Sequence, residues 1–257
     1  MIFVLGIDAA TWTVIRPNLD NLPNFKKLTE IGIAYEPVLE ETPLSPLIWC
    51  GMFCGKKFEE HGHKSFAIDG ELVKRNDIKV DFIWDILDRE GKDIRVLGVP
   101  FVVPPYSFNV DFKPIGFGLP TTPDEWMQEL VKIAEKSIEL MAQKPDVLIA
   151  VYTLLDRVQH FHWGEPVVLD WYMKVDSKLK EILFDTGFLD NPENKLIIIS
   201  DHGFCSFGDA KVQTLPKETP FGVLKGDHHE NAFAITVNLD YEIKQPQDVF
   251  HAIRKFA

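Results

Sequence analysis

Short apolar runs alternate along the chain with segments in which apolar residues recur every three or four positions. The first run, Ile2–Ile7, is continuously apolar, which is typical of a strand buried on both faces. Similar runs predict strands at residues 2–7, 94–99, 147–151, 196–200 and 232–237. Helical spacing predicts helices at residues 22–33, 82–90, 123–141, 168–182 and 249–256.

The order of these segments predicts an α/β fold. Strands that alternate with helices imply a mostly parallel sheet with helices on both faces. Local signals support several boundaries: Thr122, Pro123 and Glu125 form a capping-box start, and Gly91 follows the end of a predicted helix. We therefore expect residues 1–257 to form one domain.

The segment from residue 100 to residue 123 departs from this alternation. It contains six prolines and the two glycines that flank Phe117, so it cannot form a regular helix or a central strand. Long segments without regular structure are uncommon in compact domains unless they are functional or disordered. We predict a structured lid over a site, with a simple surface connection as the alternative.

Charge and composition narrow the choice of partners. The 39 acidic and 27 basic residues give a formal net charge of -12, which argues against a nucleic-acid partner. An anionic substrate remains compatible with this charge if a bound metal supplies positive charge. The chain contains no apolar run near the roughly 20 residues of a membrane span and no signal-peptide pattern, so we expect a cytoplasmic protein without a membrane partner. Three cysteines do not make a disulfide framework.

Acidic and imidazole side chains follow several predicted strands. Ligands of open α/β sheets bind outside the carboxyl ends of the strands, and these side chains are expected there. Each has an ordinary interpretation alone, such as a helix cap, a turn or a pair on one helix face. Together they predict a metal site, and oxygen and nitrogen donors suit Zn, Mn or Fe. The candidates are Asp8, Asp156, His160, Asp201, His202 and one of the neighbours His228 and His229.

A candidate nucleophile lies between the first two predicted helices that follow Ile7. Ser45 directly precedes Pro46, a pattern that predicts a helix with Ser45 as its cap, and Gly55 would end that helix. Capping alone would explain Ser45. The functional interpretation adds that a helix N-terminus favours a phosphate and that metal coordination lowers the pKa of a serine hydroxyl.

These motifs together resemble the type I phosphodiesterase/nucleotide pyrophosphatase family of the alkaline phosphatase superfamily. They occur in the family's order from residue 2 to about residue 237, and the set is more specific than any member. The matching segments are residues 6–12, 22–24, 42–46 with Trp49, 60–62, 99–105 with 116–117, Asp156 with His160, 201–203, and Gly226 with His228.

The resemblance implies an alkaline-phosphatase-like three-layer α/β/α sandwich and a metal-dependent hydrolase of small phosphate esters. It implies two divalent cations, zinc first and Mn or Fe as alternatives. The first would be held by Asp8, Ser45, Asp201 and His202, and the second by Asp156, His160 and His228. Ser45 would form a covalent phospho-enzyme intermediate; the spacing to Gly55 favours it over Thr42, and His229 is the second choice for the last ligand.

The sequence also departs from the family. The nucleophile is serine where many relatives have threonine, and Ile48 stands where nucleotide-cleaving relatives often have asparagine. Ala9 replaces a glycine, and Cys54 precedes Gly55 where threonine is usual. A sulfatase is disfavoured because Trp49 occupies the position of the required arginine. The remaining alternatives are a phosphomonoesterase or phosphomutase on the same fold, and a catalytically idle metal-binding module.

Overall fold

A seven-stranded sheet dominates the part of the chain that the computed structural model describes, which is residues 1–100, 105–116 and 120–257. The strands, including short ones outside this sheet, are β1 (Ile2–Ile7), β2 (Ile33–Tyr35), β3 (Ala67–Ile68), β4 (Glu71–Leu72), β5 (Ile94–Val99), β6 (Tyr106–Phe108), β7 (Val147–Tyr152), β8 (Lys195–Ile199), β9 (Gly203–Ser206), β10 (Glu218–Thr219), β11 (Gly222–Val223), β12 (Gly226–His229) and β13 (Ala234–Val237).

The sheet is mostly parallel, as the sequence predicts. Its order is β2-β13-β8-β1-β7-β5-β6, and β8, β1, β7 and β5 run parallel to one another. Antiparallel pairs occur towards the edges, where β13 pairs with β8 and β2, and β6 pairs with β5. Three further two-stranded ribbons, β3-β4, β10-β11 and β9-β12, complete the described strands.

Helices cover both faces of the sheet. Those of the described residues are α1 (Trp12–Ile15), α2 (Pro23–Ile31), α3 (Ser45–Cys54), α4 (Phe58–His61), α5 (Ile83–Arg89), α6 (Pro123–Ala142), α7 (Leu154–His162), α8 (Pro166–Leu179) and α9 (Asp248–Phe256). In the described ranges, none of these helices has the length and apolar character needed to cross a bilayer.

Two apolar cores lie on opposite faces of the sheet. Successive side chains of β1 alternate between them: Phe3 and Leu5 join the core under α2, α6, α7 and α8, while Ile2 and Val4 join the core under α3, α5 and α9. This alternation follows from the two-residue period of a strand. The continuous apolar run at Ile2–Ile7 therefore has the cause expected from the sequence, and the three-layer α/β/α prediction is confirmed.

Most predicted boundaries shift by one to three residues, and two of the differences concern strands towards one edge of the sheet. The helix predicted at residues 22–33 ends at Ile31, because Gly32 leaves the helical conformation and Ile33 begins the edge strand β2. The strand predicted at residues 232–237 begins at Ala234 and is antiparallel to β8. The capping box before α6 forms, with Thr122 accepting a hydrogen bond from the backbone N–H of Glu125.

The proline-rich segment is only partly described. Residues 106–108 form β6 at the edge of the sheet, antiparallel to β5 with a register shift between Val96 and Val99. Residues 101–104 and 117–119, on which part of the predicted lid falls, lie outside the described residues. A lid over a site and a single catalytic domain of residues 1–257 thus stay predictions.

Candidate active site

Three neighbouring parallel strands deliver acidic side chains to one edge of the sheet. Strands β8, β1 and β7 are adjacent, and each is followed within a few residues by one or two of the predicted ligands. Asp8 follows β1 directly, Asp156 lies in the first turn of α7 after β7, and Asp201 follows β8 after one residue. Because parallel strands end at the same edge, the three carboxylates converge although they lie far apart in sequence.

The first group of predicted ligands surrounds the imidazole of His202. Its Nε2 atom lies 3.2 Å from Asp201 Oδ2 and 3.7 Å from Asp8 Oδ1. The Oγ atom of Ser45 is 3.3 Å from the same Nε2 atom. All four side chains are buried. One ring nitrogen, two carboxylate oxygens and a hydroxyl therefore face a common point.

The second group consists of Asp156, His160 and His228. The Nε2 atoms of the two histidines are 3.0 Å apart, and they lie 3.1 Å and 3.2 Å from Asp156 Oδ1. The rings of His228 and His202 stack with centroids 3.8 Å apart, so the two groups are contiguous. Ligand atoms of Asp156, His202 and His228 all lie within 4.8 Å of one another, so His202 is close to both groups.

Backbone carbonyls orient all three imidazoles. His160 Nδ1 lies 3.2 Å from the carbonyl oxygen of Gly226, His202 Nδ1 lies 3.0 Å from that of Gly203, and His228 Nδ1 lies 2.6 Å from that of Pro43. A carbonyl oxygen only accepts, so each Nδ1 must donate a proton. The Nε2 atom of each ring then points into the site, which is the orientation of metal-binding histidines.

The charges of the site call for a cation. Burial, followed by repulsion from Asp201 and Asp156, raises the pKa of Asp8 well above its usual range. Burial also raises the pKa of Asp201 to about 6. Burial opposes ionisation of Asp156 as well, yet His160 and His228 hold its pKa well below the usual value. Three carboxylates lie close together in a buried site, so the ionised cluster needs compensating positive charge, from bound protons or from cations.

Unpartnered atoms test whether a metal fits these residues. Asp8 Oδ1 and Asp201 Oδ2 are buried and accept no hydrogen bond within the described ranges. The two imidazoles of His160 and His228 direct lone pairs at each other across 3.0 Å, an arrangement that needs a proton or a metal ion between them. Three imidazole nitrogens with carboxylate oxygens form a donor set for transition metals. The residues present therefore fit divalent cations.

The start of α3 differs in detail from the prediction. The carbonyl oxygen of Leu44 accepts from the N–H groups of Leu47 and Ile48, so Leu44 is the cap and Ser45 is the first helical residue. The prediction that Ser45 itself caps the helix is wrong by one position. Its hydroxyl makes no capping bond and instead faces His202. The helix ends as predicted at Gly55, which adopts a left-handed φ of 70°.

The alternative candidates His229 and Thr42 lie outside the two groups of predicted ligands. His229 is half-buried, accepts a hydrogen bond from the N–H of Asn231 and lies 3.6 Å from a Glu230 carboxylate oxygen. Neighbouring side chains of a strand face opposite sides, so β12 directs His228 inward and His229 outward. Thr42 lines a cleft of about 240 Å³ that opens beside His228 and Pro43.

Two side chains for which the sequence predicts no role at the site contact the loop that carries Asp8. The indole Nε1 of Trp49 donates to Asp8 Oδ2 over 3.3 Å. The side chain of Gln159 donates from Nε2 to the carbonyl oxygen of Ala9 over 2.9 Å. Trp49 lies one helical turn after Ser45 on the same helix, which was the available signal for its place at the site. No signal in the sequence connects Gln159 with Ala9.

The turn after Asp8 is held in an unusual conformation. Ala9 has a φ of 61°, a left-handed value that costs a non-glycine residue about 1–2 kcal/mol. Its N–H donates to Asp201 Oδ1 over 3.2 Å. Glycine adopts this conformation without strain, which gives a physical reason for the glycine that the resemblance implies at this position.

Comparison with known proteins identifies what the chain is similar to. Residues 2–219 match the family described as type I phosphodiesterase / nucleotide pyrophosphatase, a range that includes Asp8, Ser45, Asp156 and Asp201 but ends before His228. No curated protein sequence matches the chain.

Solved structures share the fold at low sequence identity. Murine ectonucleotide pyrophosphatase/phosphodiesterase 5, an inactive threonine-to-alanine variant in complex with AMP, is 13% identical with a TM-score of 0.63, covering 98% of this chain and 94% of that one. The human counterpart is 14% identical with a TM-score of 0.60, covering 98% and 94%. Phosphonoacetate hydrolase from Sinorhizobium meliloti 1021, in complex with phosphonoformate, is 16% identical with a TM-score of 0.60, covering 79% of this chain. This chain spans only 56% of the length of that hydrolase.

Proposed function

The chain belongs to the type I phosphodiesterase/nucleotide pyrophosphatase family, and from that premise we propose that it hydrolyses phosphate esters with Ser45 as nucleophile and two divalent cations. The observation that supports this most is the orientation of three imidazoles, each donating Nδ1–H to a carbonyl and directing Nε2 at buried carboxylates. Purely structural histidines would have no reason to present three lone pairs to one another.

Each group of ligands would hold one cation. Asp8, Ser45, Asp201 and His202 form the first group, and Asp156, His160 and His228 form the second. The mixture of nitrogen and oxygen donors suits zinc best, with Mn or Fe as alternatives. Bound cations would lower the pKa of the Ser45 hydroxyl and balance the negative charge of the phosphoryl oxygens.

The residues of the chain account for the covalent steps. Ser45 Oγ attacks phosphorus, so the Oγ–P bond forms while the bond from phosphorus to the leaving oxygen breaks. The serine proton passes to water, and the leaving oxygen takes a proton from water. A water molecule then attacks the phosphoserine, which releases the phosphate product and restores the Ser45 hydroxyl. The N-terminus of α3, where Ser45 lies, favours the negative charge of the phosphoryl group.

Phosphodiesters and nucleotide-like pyrophosphates are the proposed substrates, ahead of monoesters. The family and a relative in complex with AMP support this class. The cleft of about 240 Å³ beside His228 offers room for one small substituent of the phosphorus. Ile48, in place of an asparagine, offers no hydrogen bond to a phosphate oxygen, so we expect a looser choice of leaving group than in nucleotide-specific relatives.

The direct test compares bis-p-nitrophenyl phosphate with p-nitrophenyl phosphate, with added zinc or manganese and with a chelator. We expect metal-dependent turnover that is faster on the diester. Ser45→Ala should reduce turnover to background while zinc binding, measured on the folded protein, stays largely intact. Equal metal-independent rates on both substrates, or wild-type turnover in Ser45→Ala, would contradict the proposal.

A further inference from the structure

A buried chain of hydrogen bonds joins the loop that carries Asp8 to the helix that carries Asp156 and His160. The side-chain amide of Gln159 donates to the carbonyl oxygen of Ala9 over 2.9 Å. The hydroxyl of Tyr172 donates to Gln159 Oε1 over 3.1 Å, and it accepts the backbone N–H of Thr11 over 3.1 Å. Gln159 and Tyr172 are fully buried.

The peptide groups of Ala9 connect the two groups of predicted ligands. Its N–H donates to Asp201, a member of the first group, and its carbonyl oxygen accepts from Gln159, the neighbour of His160 in the second group. The left-handed φ of 61° is unfavourable for alanine, so this conformation persists only because its surroundings enforce it.

Packing of the helices does not require this network. Helices α7 and α8 already bury apolar side chains against the sheet and each other, among them Leu155, Val158 and Val168. A buried glutamine is costly unless its polar atoms are paired. Here one partner is the Ala9 carbonyl in the loop that follows Asp8, and the other is the Tyr172 hydroxyl, which itself accepts the N–H of Thr11 in that loop. The network therefore fixes the loop relative to α7, which the apolar contacts alone do not do.

We propose that Gln159 and Tyr172 are positioning residues that hold the Asp8 turn against helix α7 and so keep the two cation sites at one fixed separation. This inference rests on the proposed two-cation function. Neither side chain contacts a predicted substrate atom, so both act through the ligands. Loss of the network should loosen both groups at once, because the Ala9 peptide groups join them.

The experiment measures zinc affinity of the folded, metal-free protein by competition with a chromogenic chelator. In Gln159→Leu, which keeps the size but removes both hydrogen bonds, we expect both stepwise affinities to fall about 10- to 100-fold, as for other residues that orient metal ligands. Tyr172→Phe should lower both stepwise zinc affinities by a smaller factor. This variant keeps the test valid if Gln159→Leu folds poorly. The double variant should bind about as weakly as Gln159→Leu alone, because the two residues form one chain.

Tyr152→Phe is the matched control. Its hydroxyl is buried near the same helix but has no hydrogen-bond partner within the described ranges, so zinc affinity should stay within twofold of the wild type. A fall in unfolding temperature with unchanged zinc affinity in the Gln159 and Tyr172 variants would overturn the inference, as would weakening of only one of the two stepwise affinities.

The two proposals fail separately. If the wild type binds zinc and the variants bind it more weakly, but no phosphate ester is hydrolysed, the positioning role stands and the proposed function does not. If the wild type hydrolyses esters and the variants bind zinc normally, only the positioning role is wrong.

Discussion

Two regions of the molecule hold buried acids that differ in how their oxygens are used. Glu129 and Asp176 each accept hydrogen bonds at the start of another helix. Glu129 accepts from the hydroxyl and backbone N–H of Thr153, before α7, and Asp176 accepts from the N–H groups of Asn24 and Phe25, in the first turn of α2. At the edge of the sheet, Asp8 Oδ1 and Asp201 Oδ2 accept nothing within the described ranges.

The difference separates structural acids from acids kept for a cation. A buried carboxylate without partners costs free energy, and hydrogen bonds from the protein offset part of this cost for Glu129 and Asp176, although burial still raises the pKa of both. At the sheet edge, one oxygen of Asp8 and one of Asp201 have no hydrogen-bond donor within the described ranges. These oxygens face the Nε2 atom of His202 instead, which is the arrangement expected of acids that would hold a cation.

The largest effect that would sharpen this contrast is expected from Asp201→Asn. Turnover should fall by at least about 100-fold, since even residues behind metal ligands are worth about 10- to 100-fold. The metal-free protein should nevertheless become more stable by about 1–3 kcal/mol at pH 8, because the variant removes a buried charge. Activity assays and urea unfolding in chelator measure the two quantities. A destabilised metal-free variant would place Asp201 among the structural acids and break the comparison.

Glu129 should add a pH dependence of its own to that of the sheet-edge acids. Burial raises its pKa to about 7 from the ordinary 4.5, although the Thr153 and Leu154 donors and Arg157 lower it. The native protein therefore keeps a proton that the unfolded chain loses, and stability falls as the pH rises from about 4.5 to 7.

The matched variant for that prediction is Glu129→Gln, which mimics the protonated acid. Its free energy of unfolding, relative to the wild type, should rise by up to about 3 kcal/mol between pH 5 and pH 8. Urea unfolding of both proteins in chelator at each pH gives the difference, because every other ionisable group is common to both. A difference that does not change with pH would mean that Glu129 is ionised throughout.

The smallest effect is expected from Asp176→Ala, on the structural side of the contrast. It leaves the N–H groups of Asn24 and Phe25 at the start of α2 without an acceptor, so the free energy of unfolding should fall by about 1–3 kcal/mol. Turnover and zinc affinity of the folded protein should not change, because Asp176 lies outside both ligand groups. Weakened zinc binding would show that helix-end acids also hold the site together.

Local features of the fold could be predicted because their causes are local. The apolar run of β1, the capping box before α6 and the glycine after α3 each depend on a few neighbouring residues. The edge strand β2 could not be predicted, because Ile33 is exposed and its pairing with β13 depends on residues far along the chain. The cap of α3 at Leu44 was missed because a serine before proline fits the cap equally well in sequence.

The amino-acid sequence by itself determined the α/β class, the strand ends at which Asp8, Asp156 and Asp201 lie, and the presence of a serine at the start of a helix. Tertiary structure alone decided that β8, β1 and β7 are neighbours, that His228 faces inward, and that Trp49 and Gln159 reach the Asp8 loop. The hydrogen bonds concerned join residues 41 to 192 positions apart, as between Ala9 and Asp201. Periodicity reports only which face of an element is apolar, whereas such contacts depend on how the elements pack.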